Sequence, residues 1–444
     1  LLLSEHIKET VKLTLPISIG QLGHIMMGVV DSLMVGRLGA APLAAAVLVN
    51  AIFFMIIVLG FGMTMAITPL VAIASGEKKL STVKDIFNNG FWINLLFSAI
   101  LIVLTYLVSC MLPYLNQPPD VTVMAVSYLR IQIISIAPFI LFQVGRQYLD
   151  GLSIVKPAMY VAIIANFFNA FFNWVFIYGK FGFPAMGLDG AGIATTGSRI
   201  FMGGAIFMYL YKSSINKELV PIISFKKLDK HLIHEIIRLG LPSGFQYFIE
   251  VAAFTFSAII IGWFGKTSLA AHQIAMNLSS LTYMVIMGIS SAGTIRVGNY
   301  FGARDNRNLR IAGFTAIGLA GSIMLLSAVT LLLLNRILPA LYINDSEVIG
   351  LASKLIIIAA FFQLFDGLQA TSVGTLRGLT DVKVPLIITF ASYWIVALPA
   401  GYLLAVHFNL GAVGVWIGLS IALFLVAVSC VIRFAVKSRV TFSE

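Results

Sequence analysis

Three acids in this chain sit where acids are costly. Nearly all of its eighteen Asp and Glu residues lie in polar connections or at the ends of apolar runs, but Asp31, Glu250 and Asp366 lie inside such runs. A charge at the centre of a bilayer costs about 2.5–3.5 kcal/mol on insertion scales. These side chains should therefore face the protein interior or a wet cavity. Desolvation disfavours the charged form of a carboxyl in such a place. It can trade a proton, hold Na+ through hard oxygen contacts, or pair with a cationic compound; alternatively it bonds a neighbouring helix and does nothing more. Asn166, Asn169 and Asn173 follow one another at i, i+3 and i+7, which is one helical face. Their amides either line a wet pocket and lend oxygens to a cation, or tie helices together. Thr195 and Thr196 can offer a hydroxyl to Asp31 or bond back to their own helix. His24, about two turns before Asp31, is either a proton relay or a satisfied core histidine. Arg199, also inside an apolar run, needs a partner or a route to the interface.

A second set could build a surface for bulky cations. Met27 and Met287 offer adaptable apolar contact, and Phe168 and Phe172 offer ring faces for planar cations. Asn50 and Asn277 add polar points at nearly equivalent places. Ordinary packing, lipid contact and inter-helix hydrogen bonds are the competing roles. No metal-ligand cluster and no Ser/His/Asp set is visible, so an intramembrane enzyme lacks its chemistry. Nothing resembles the selectivity filter of a channel.

The elements that must position these residues are membrane helices. The 444 residues are 59% hydrophobic and 11% charged, against about a quarter charged in globular domains. Runs such as 91–107, 311–334 and 413–431 suffice to cross about 30 Å of hydrocarbon as helices. Helices are expected at 11–36, 43–75, 84–112, 121–149, 156–179, 187–212, 231–263, 269–300, 308–336, 346–376, 382–407 and 411–436, with a kink possible at Pro16. The net charge of +11 does not indicate nucleic acid, because the basic residues fall in short connections. With the N-terminus inside, 22 Lys and Arg fall on the cytoplasmic side and 5 opposite, counting Lys217 in the longest connection. That bias is the positive-inside pattern, and it places both termini in the cytoplasm. Residues 1–12 are polar and lack a signal-peptide pattern, so the first helix is expected to serve for targeting. Cys110 and Cys430 lie in apolar runs, as buried thiols rather than a disulfide.

The chain is duplicated. Shifting residues 13–76 by 226 brings Pro16, Gly36, Gly39, Gly62, Thr68, Val71 and Gly76 onto Pro242, Gly262, Gly265, Gly288, Thr294, Val297 and Gly302, without a gap. The expected organisation is an N-lobe at 1–212, a cytoplasmic connection at 213–230 and a C-lobe at 231–444. Six helices per half keep both copies in one orientation, so the halves should be related by a pseudo-twofold axis along the membrane normal.

Certain stretches resemble the multidrug and toxic compound extrusion (MATE) family, in its NorM-like bacterial branch. They are Leu15-Pro16, Gln21, Asp31 followed by Val35-Gly36-Arg37-Leu38-Gly39, Leu43-Ala44-Ala45, Asn169, Asn173 and Gly179, and Gly187–Thr195. In the second half they are Leu241-Pro242, Glu250, Ala270-Ala271-His272-Gln273-Ile274 and Gly374–Gly378. The resemblance covers essentially the full length. It implies an antiporter with two six-helix lobes, monomeric, in a bacterial inner membrane, exporting cationic or amphiphilic compounds against Na+ or H+ with no cofactor. It further implies ion or proton coupling at Asp31 with Asn169, Asn173 and Thr195, and at Glu250 with Asp366. The substrate wall would be formed by Gln21, Met27, Asn50, Phe168, Phe172, Asn277 and Met287. Some branches carry Asp where this chain has Asn173, which leaves the N-lobe site one charge poorer. A lipid-linked oligosaccharide flippase of the same superfamily is the rival. It would need a strongly basic cavity, whereas this chain keeps acids within its helices.

Overall fold

The computed structural model describes residues 2–115, 117–212, 219–220 and 223–439. Residues 213–218 of the long connection, with Lys217, lie outside them. Among the described residues the structure is all-α, without a strand. The helices are α1 Leu3–Gly36, α2 Ala40–Thr64, α3 Ile67–Gly76, α4 Leu80–Met111, α5 Pro119–Ile134, α6 Ile136–Gly151, α7 Lys156–Tyr178, α8 Gly187–Lys212, α9 Lys230–Gly262, α10 Lys266–Gly302 and α11 Asn306–Leu333. They continue as the short α12 Ile337–Ala340, then α13 Ser346–Gly378, α14 Lys383–Phe390, α15 Leu398–Tyr402 and α16 Ala412–Lys437.

All twelve predicted segments are helical. Ten are long and apolar enough to cross a membrane, and α5 with α6, bent by 42°, makes an eleventh. The twelfth, α8, is 26 residues long. Its six glycines, Asp189 and Arg199 dilute its apolarity.

Three segments expected to be continuous are interrupted, each at a residue four positions before a proline. A proline cannot donate its nitrogen to the carbonyl one turn back, and its ring crowds that carbonyl. Pro69 accounts for the break at Met65 between α2 and α3, and Pro138 for the bend after Ile134. Pro399 lies four residues past Ile395, within the π-helical turn Ala391–Ala397. At the second break Ser135 Oγ donates to the Gln132 carbonyl at 2.6 Å, and that hydroxyl becomes part of a site described below.

The first helix starts at Leu3, eight residues earlier than the sequence suggested. His6 and Thr10 explain the extension, because both are buried. Arg296 Nη1 donates to Thr10 Oγ1 at 2.6 Å and to the His6 carbonyl at 2.7 Å. Arg296 Nη2 lies 2.7 Å from His6 Nδ1, and His6 Nε2 lies 3.0 Å from Asn308 Oδ1. A guanidinium only donates, so the ring fits as the neutral Nε2–H tautomer. Asp305 caps α11. Burial opposes its charge, but the bonds from Asn308 N and Nδ2 hold its carboxyl below the usual carboxylate range. Cys430 is buried as expected, whereas Cys110 is exposed on the outer face of α4, where hydrocarbon rather than protein can cover it.

The chain forms two compact units, Ile19–Gly244 (the N-unit) and Leu1–Ser18 with Phe245–Glu444 (the C-unit). The cuts fall inside α1 and α9, not in the connection 213–230. Ser18 and Gly244 are 226 residues apart, the offset of the sequence repeat. The repeat is realised as equivalent contacts within each unit. A Cβ on Gly62 would meet the Gly244 backbone, and one on Gly288 would meet Thr14 and Ser18. Thr68 Oγ1 donates to the Gln147 carbonyl at 3.0 Å, as Thr294 Oγ1 does to that of Gly374 at 2.7 Å. Gly151 packs on Val71 as Gly378 packs on Val297. Small residues let membrane helices approach closely enough for backbone contact, which is why the glycines recur. The C-unit core centres on Trp416, Phe362 and Phe434; that of the N-unit on Tyr128, Leu101 and Ile136. Apolar side chains such as Phe167, Leu326, Leu333 and Ile387 are exposed around them.

Gly62→Ala is a direct test. The added Cβ would lie 2.0 Å from Gly244 Cα, and backbone cannot swing aside. Overpacking of this kind costs about 1–3 kcal/mol, so the thermal midpoint of the purified protein should fall. Gly28→Ala, where a Cβ meets nothing within 4 Å, should leave it unchanged or raise it.

Candidate functional site

Asp31 stands at the centre of a closed hydrogen-bond network in the N-unit. Its side chain projects from α1 and is 6% exposed. Asn173 Nδ2 donates to Oδ1 at 2.5 Å, and Thr195 Oγ1 donates to Oδ2 at 2.7 Å. Asn173 Nδ2 also reaches Asn169 Oδ1 at 3.1 Å, and Asn169 Nδ2 closes the ring onto Thr195 Oγ1 at 3.2 Å. The i, i+4 spacing on α7 stacks the two amides on one face. Gly190 brings α8 against the backbone of α7 at Phe176, so that Thr195, further along α8, reaches the same carboxylate.

Each carboxylate oxygen has a second lone pair free of these donors. Asn173 Oδ1 is buried and has no hydrogen-bond partner. Asp31, Asn173, Asn169 and Thr195 thus form one hydrogen-bonded network of buried, oxygen-bearing groups, and oxygen is the ligand that hard cations take.

Arg199 is the nearby base, half-buried. It does not pair with Asp31 directly but stands within electrostatic reach of it. Its Nη1 donates to Gln132 Oε1 at 3.0 Å and to Ser135 Oγ at 2.6 Å, and its guanidinium lies 4.8 Å from the Phe53 ring centroid. The bend between α5 and α6 places Ser135 for this role.

The C-unit holds a second cluster. Glu250 Oε1 accepts from Gln369 Nε2 at 3.0 Å, and Gln369 Oε1 accepts from the Tyr393 hydroxyl at 3.4 Å. Asp366, one turn before Gln369 on α13, is 7% exposed and within electrostatic reach of Glu250. Tyr283 and Tyr393 lie within reach of both carboxyls. Beside Glu250 is a cavity of about 10 Å³, lined also by Gln246, Tyr247, Tyr283 and Gln369, roughly the space one water needs. Neither acid forms an ion pair with a base among the described residues.

The two clusters are not copies of each other. The repeat offset places His24 at the position of Glu250. The offset of 227 that pairs Gly151 with Gly378 places Phe139 and Phe142 at those of Asp366 and Gln369. His24 packs edge-on against both rings with centroids 5.8 Å apart, and its Nε2 has no partner. Conversely, Ser257 stands at the repeat position of Asp31, buried, its Oγ without a partner. Each unit carries one acidic cluster and has apolar or neutral groups where the other unit's acids stand.

The structure gathers Asp31, Asn169, Asn173 and Thr195 into one network, and Glu250 and Asp366 into another. It does not gather every candidate. Asn166 bonds the Gly23 and Ala162 carbonyls, and Thr196 bonds that of Ile131. His24 faces aromatic rings. Phe168 and Phe172 lie 4.3 Å apart in a ladder of rings, with Phe168 stacked on Phe201. Met27 is buried, and Gln21 and Asn50 are half-buried. Asn277 is exposed and accepts from Gln273. Met287 receives the Tyr247 hydroxyl at 3.9 Å, beside the Glu250 cavity. Sequence reasoning missed Tyr247, Tyr283, Gln369 and Tyr393. Gln369 had a usable signal, since it shares a helical face with Asp366 at i, i+3. The tyrosines had none, because an isolated Tyr in an apolar run reads as packing.

Thr195→Val removes one donor to Asp31 and keeps the side-chain volume. A hydrogen bond to a charged group contributes about 1.5–3 kcal/mol, so the affinity for a cation bound at this carboxylate should shift by about tenfold or more. Thr196→Val, whose hydroxyl points elsewhere, should not shift it. Titration of the two purified variants with Na+ and with acid measures this.

Fold and clusters together define a duplicated, polytopic α-helical membrane protein with a cluster of acidic and neutral polar side chains, free of ion pairs among the described residues, in each half. The MatE family profile matches residues 16–175 and 242–403, and the chain belongs to the MatE family. It is 35% identical to the probable multidrug resistance protein NorM of Mesorhizobium japonicum, over 98% of this chain and 95% of that one. It is 32% identical to the multidrug resistance protein MdtK of Photorhabdus laumondii, over 98% and 96%. The bent form of the Vibrio cholerae MATE transporter VcmN has the same fold, with a TM-score of 0.88 at 20% identity over 98% of each chain.

Proposed function

We propose that this protein is a cation-coupled multidrug efflux antiporter that exports cationic or amphiphilic compounds by alternating access. The observation that carries the reading is the Asp31 network: a buried carboxylate held by two neutral donors, with the oxygen of Asn173 left unpartnered beside it. Such a group can take up a proton or a Na+ and release it without unfolding its surroundings. The Glu250 and Asp366 cluster offers a second place for the same exchange. Ion or proton binding at either lowers affinity for the drug and favours its release outside. Each charge moving inward gains about 2.3 kcal/mol per 100 mV, so one or two ions can drive a sizeable drug gradient. The relatives named for multidrug resistance support this substrate class.

Gln21, Met27, Asn50, Phe168, Phe172, Asn277 and Met287 are assigned to the drug-binding wall. The protein acts as a monomer in a bacterial inner membrane, with both termini in the cytoplasm, in keeping with the 22 to 5 distribution of basic residues. No prosthetic group takes part. Inside-out membrane vesicles loaded by respiration provide the test. A fluorescent cationic drug should be taken up, and imposed collapse of the Na+ or the H+ gradient should release it. Uptake that survives collapse of both gradients contradicts the proposal. Transport of a polyprenyl-linked pyrophosphate sugar, with no drug transport, would favour the flippase reading.

A further inference from the structure

A groove in the C-unit has no part in either acidic cluster. It has a volume of about 1000 Å³ and runs along the outer face of α11 from Asn306, Arg307 and Arg310 past Phe314 and Gly318 to Ser322, with Leu3 and Ile7 of α1 on its other wall. Its charge is confined to one end. The guanidiniums of Arg307 and Arg310, one turn apart, have no ion pair and no hydrogen bond among the described residues. The nearby Asp305 carboxylate is turned into its own helix, accepting from Asn308 N and Nδ2. Beyond the arginines the walls are open and mostly apolar, with Thr315 and Ser322 the polar exceptions. Leu3, Ile7 and Phe314 are exposed, and a Cβ on Gly318 would meet nothing within 4 Å.

We infer that this groove is a binding site for one anionic glycerophospholipid, its phosphate on Arg307 and Arg310 and an acyl chain laid over Gly318. The dimensions fit. About 22 Å of helix rise separates Arg307 from Ser322, close to the roughly 20–22 Å depth of one leaflet with its headgroups. The arginines therefore sit at headgroup level and Ser322 near the midplane. A free phosphate would use only the charged end; the apolar length accounts for a lipid. Arg presents a planar fork suited to a phosphate. Because Leu3 and Ile7 form the second wall, the bound lipid covers the start of α1, the segment tied to α10 through Arg296 and His6.

The test is native mass spectrometry of the purified full chain, offered phosphatidylglycerol or phosphatidylcholine with identical acyl chains. The wild-type chain should retain one phosphatidylglycerol with about twenty-five-fold preference. Each arginine near a membrane surface contributes roughly a fivefold effect, so Arg307→Gln with Arg310→Gln should remove the preference. Gly318→Trp should expel the lipid although both arginines remain. Lys226→Gln with Lys227→Gln, an equal charge loss elsewhere, should change nothing. The inference is overturned if retention survives both groove variants, or if the lysine variant matches the arginine one. It is also overturned if glycerophosphate competes as well as the lipid, or if the groove takes neither lipid because chain ahead of Leu1 fills it.

Discussion

Asp31→Asn is expected to reduce coupled drug efflux at least a hundredfold while leaving the protein folded. The substitution keeps the shape of the side chain and removes its charge. An asparagine here would turn an amide nitrogen toward Asn173 Nδ2, donor against donor, or toward the Thr195 hydroxyl. Two charge-assisted bonds are lost or inverted, each contributing about 1.5–3 kcal/mol, and about 3 kcal/mol already exceeds a hundredfold in cation affinity. Removing a buried charge that has no direct ionic partner also removes its desolvation cost, which offsets the lost bonds, so the thermal midpoint should hold or rise. Lost transport together with an intact midpoint separates a cation-binding role from a structural one. A carboxyl that served only to join α1, α7 and α8 would show the reverse, a lower midpoint with efflux largely kept. Drug accumulation in vesicles and thermal unfolding of the same preparation measure the two quantities.

Asp366→Asn is the second large effect, expected to reduce coupled efflux at least tenfold. Asp366 is buried and Glu250 half-buried, the two within electrostatic reach of each other, and no base forms an ion pair with either among the described residues. Two like charges this close together repel, and a proton or cation between them relieves the repulsion. Once Asp366 is neutral, Glu250 keeps its bond from Gln369 but has no second carboxyl with which to share a cation. The expected signature is a weaker response of drug uptake to the imposed cation gradient, with drug affinity in its absence unchanged. An unaltered response would assign Asp366 to packing. Asp31→Asn combined with Asp366→Asn should be no worse than Asp31→Asn alone if a single cation visits both clusters in turn. The double change should be worse if each cluster holds its own.

Much of this was legible in the sequence for one physical reason: hydrocarbon imposes strong, one-dimensional constraints. A carboxyl inside an apolar run must face protein or water, so Asp31, Glu250 and Asp366 stood out without any knowledge of their neighbours. The i, i+3, i+7 pattern placed Asn169 and Asn173 on one face, and the 226-residue repeat located Gly62 and Gly288. What stayed hidden was tertiary. Helical spacing gave Asn166 and Asn169 equal standing, and only the packing of α1 on α7 sends Asn166 to the Gly23 carbonyl and leaves Asn169 to join the Asp31 network through Asn173 and Thr195. Nothing in the neighbourhood of His24 along the chain reveals Phe139 and Phe142, which meet it from another helix. The compact units cut α1 after Ser18 and α9 after Gly244, where no polar linker marks the sequence. The early start of α1 depends on Arg296, nearly 290 residues away, and short-range periodicity cannot register such a contact.

The central claim is that the buried carboxylates bind the cation whose gradient drives drug export. Its most direct test is drug transport in proteoliposomes with Na+ and pH gradients imposed separately, comparing the wild-type chain with Asp31→Asn, Asp366→Asn double-variant protein. At least one gradient should drive drug movement by the wild type, and neither should drive it through the variant at equal protein orientation and amount. Gradient-driven transport of wild-type size through the double variant would contradict the account.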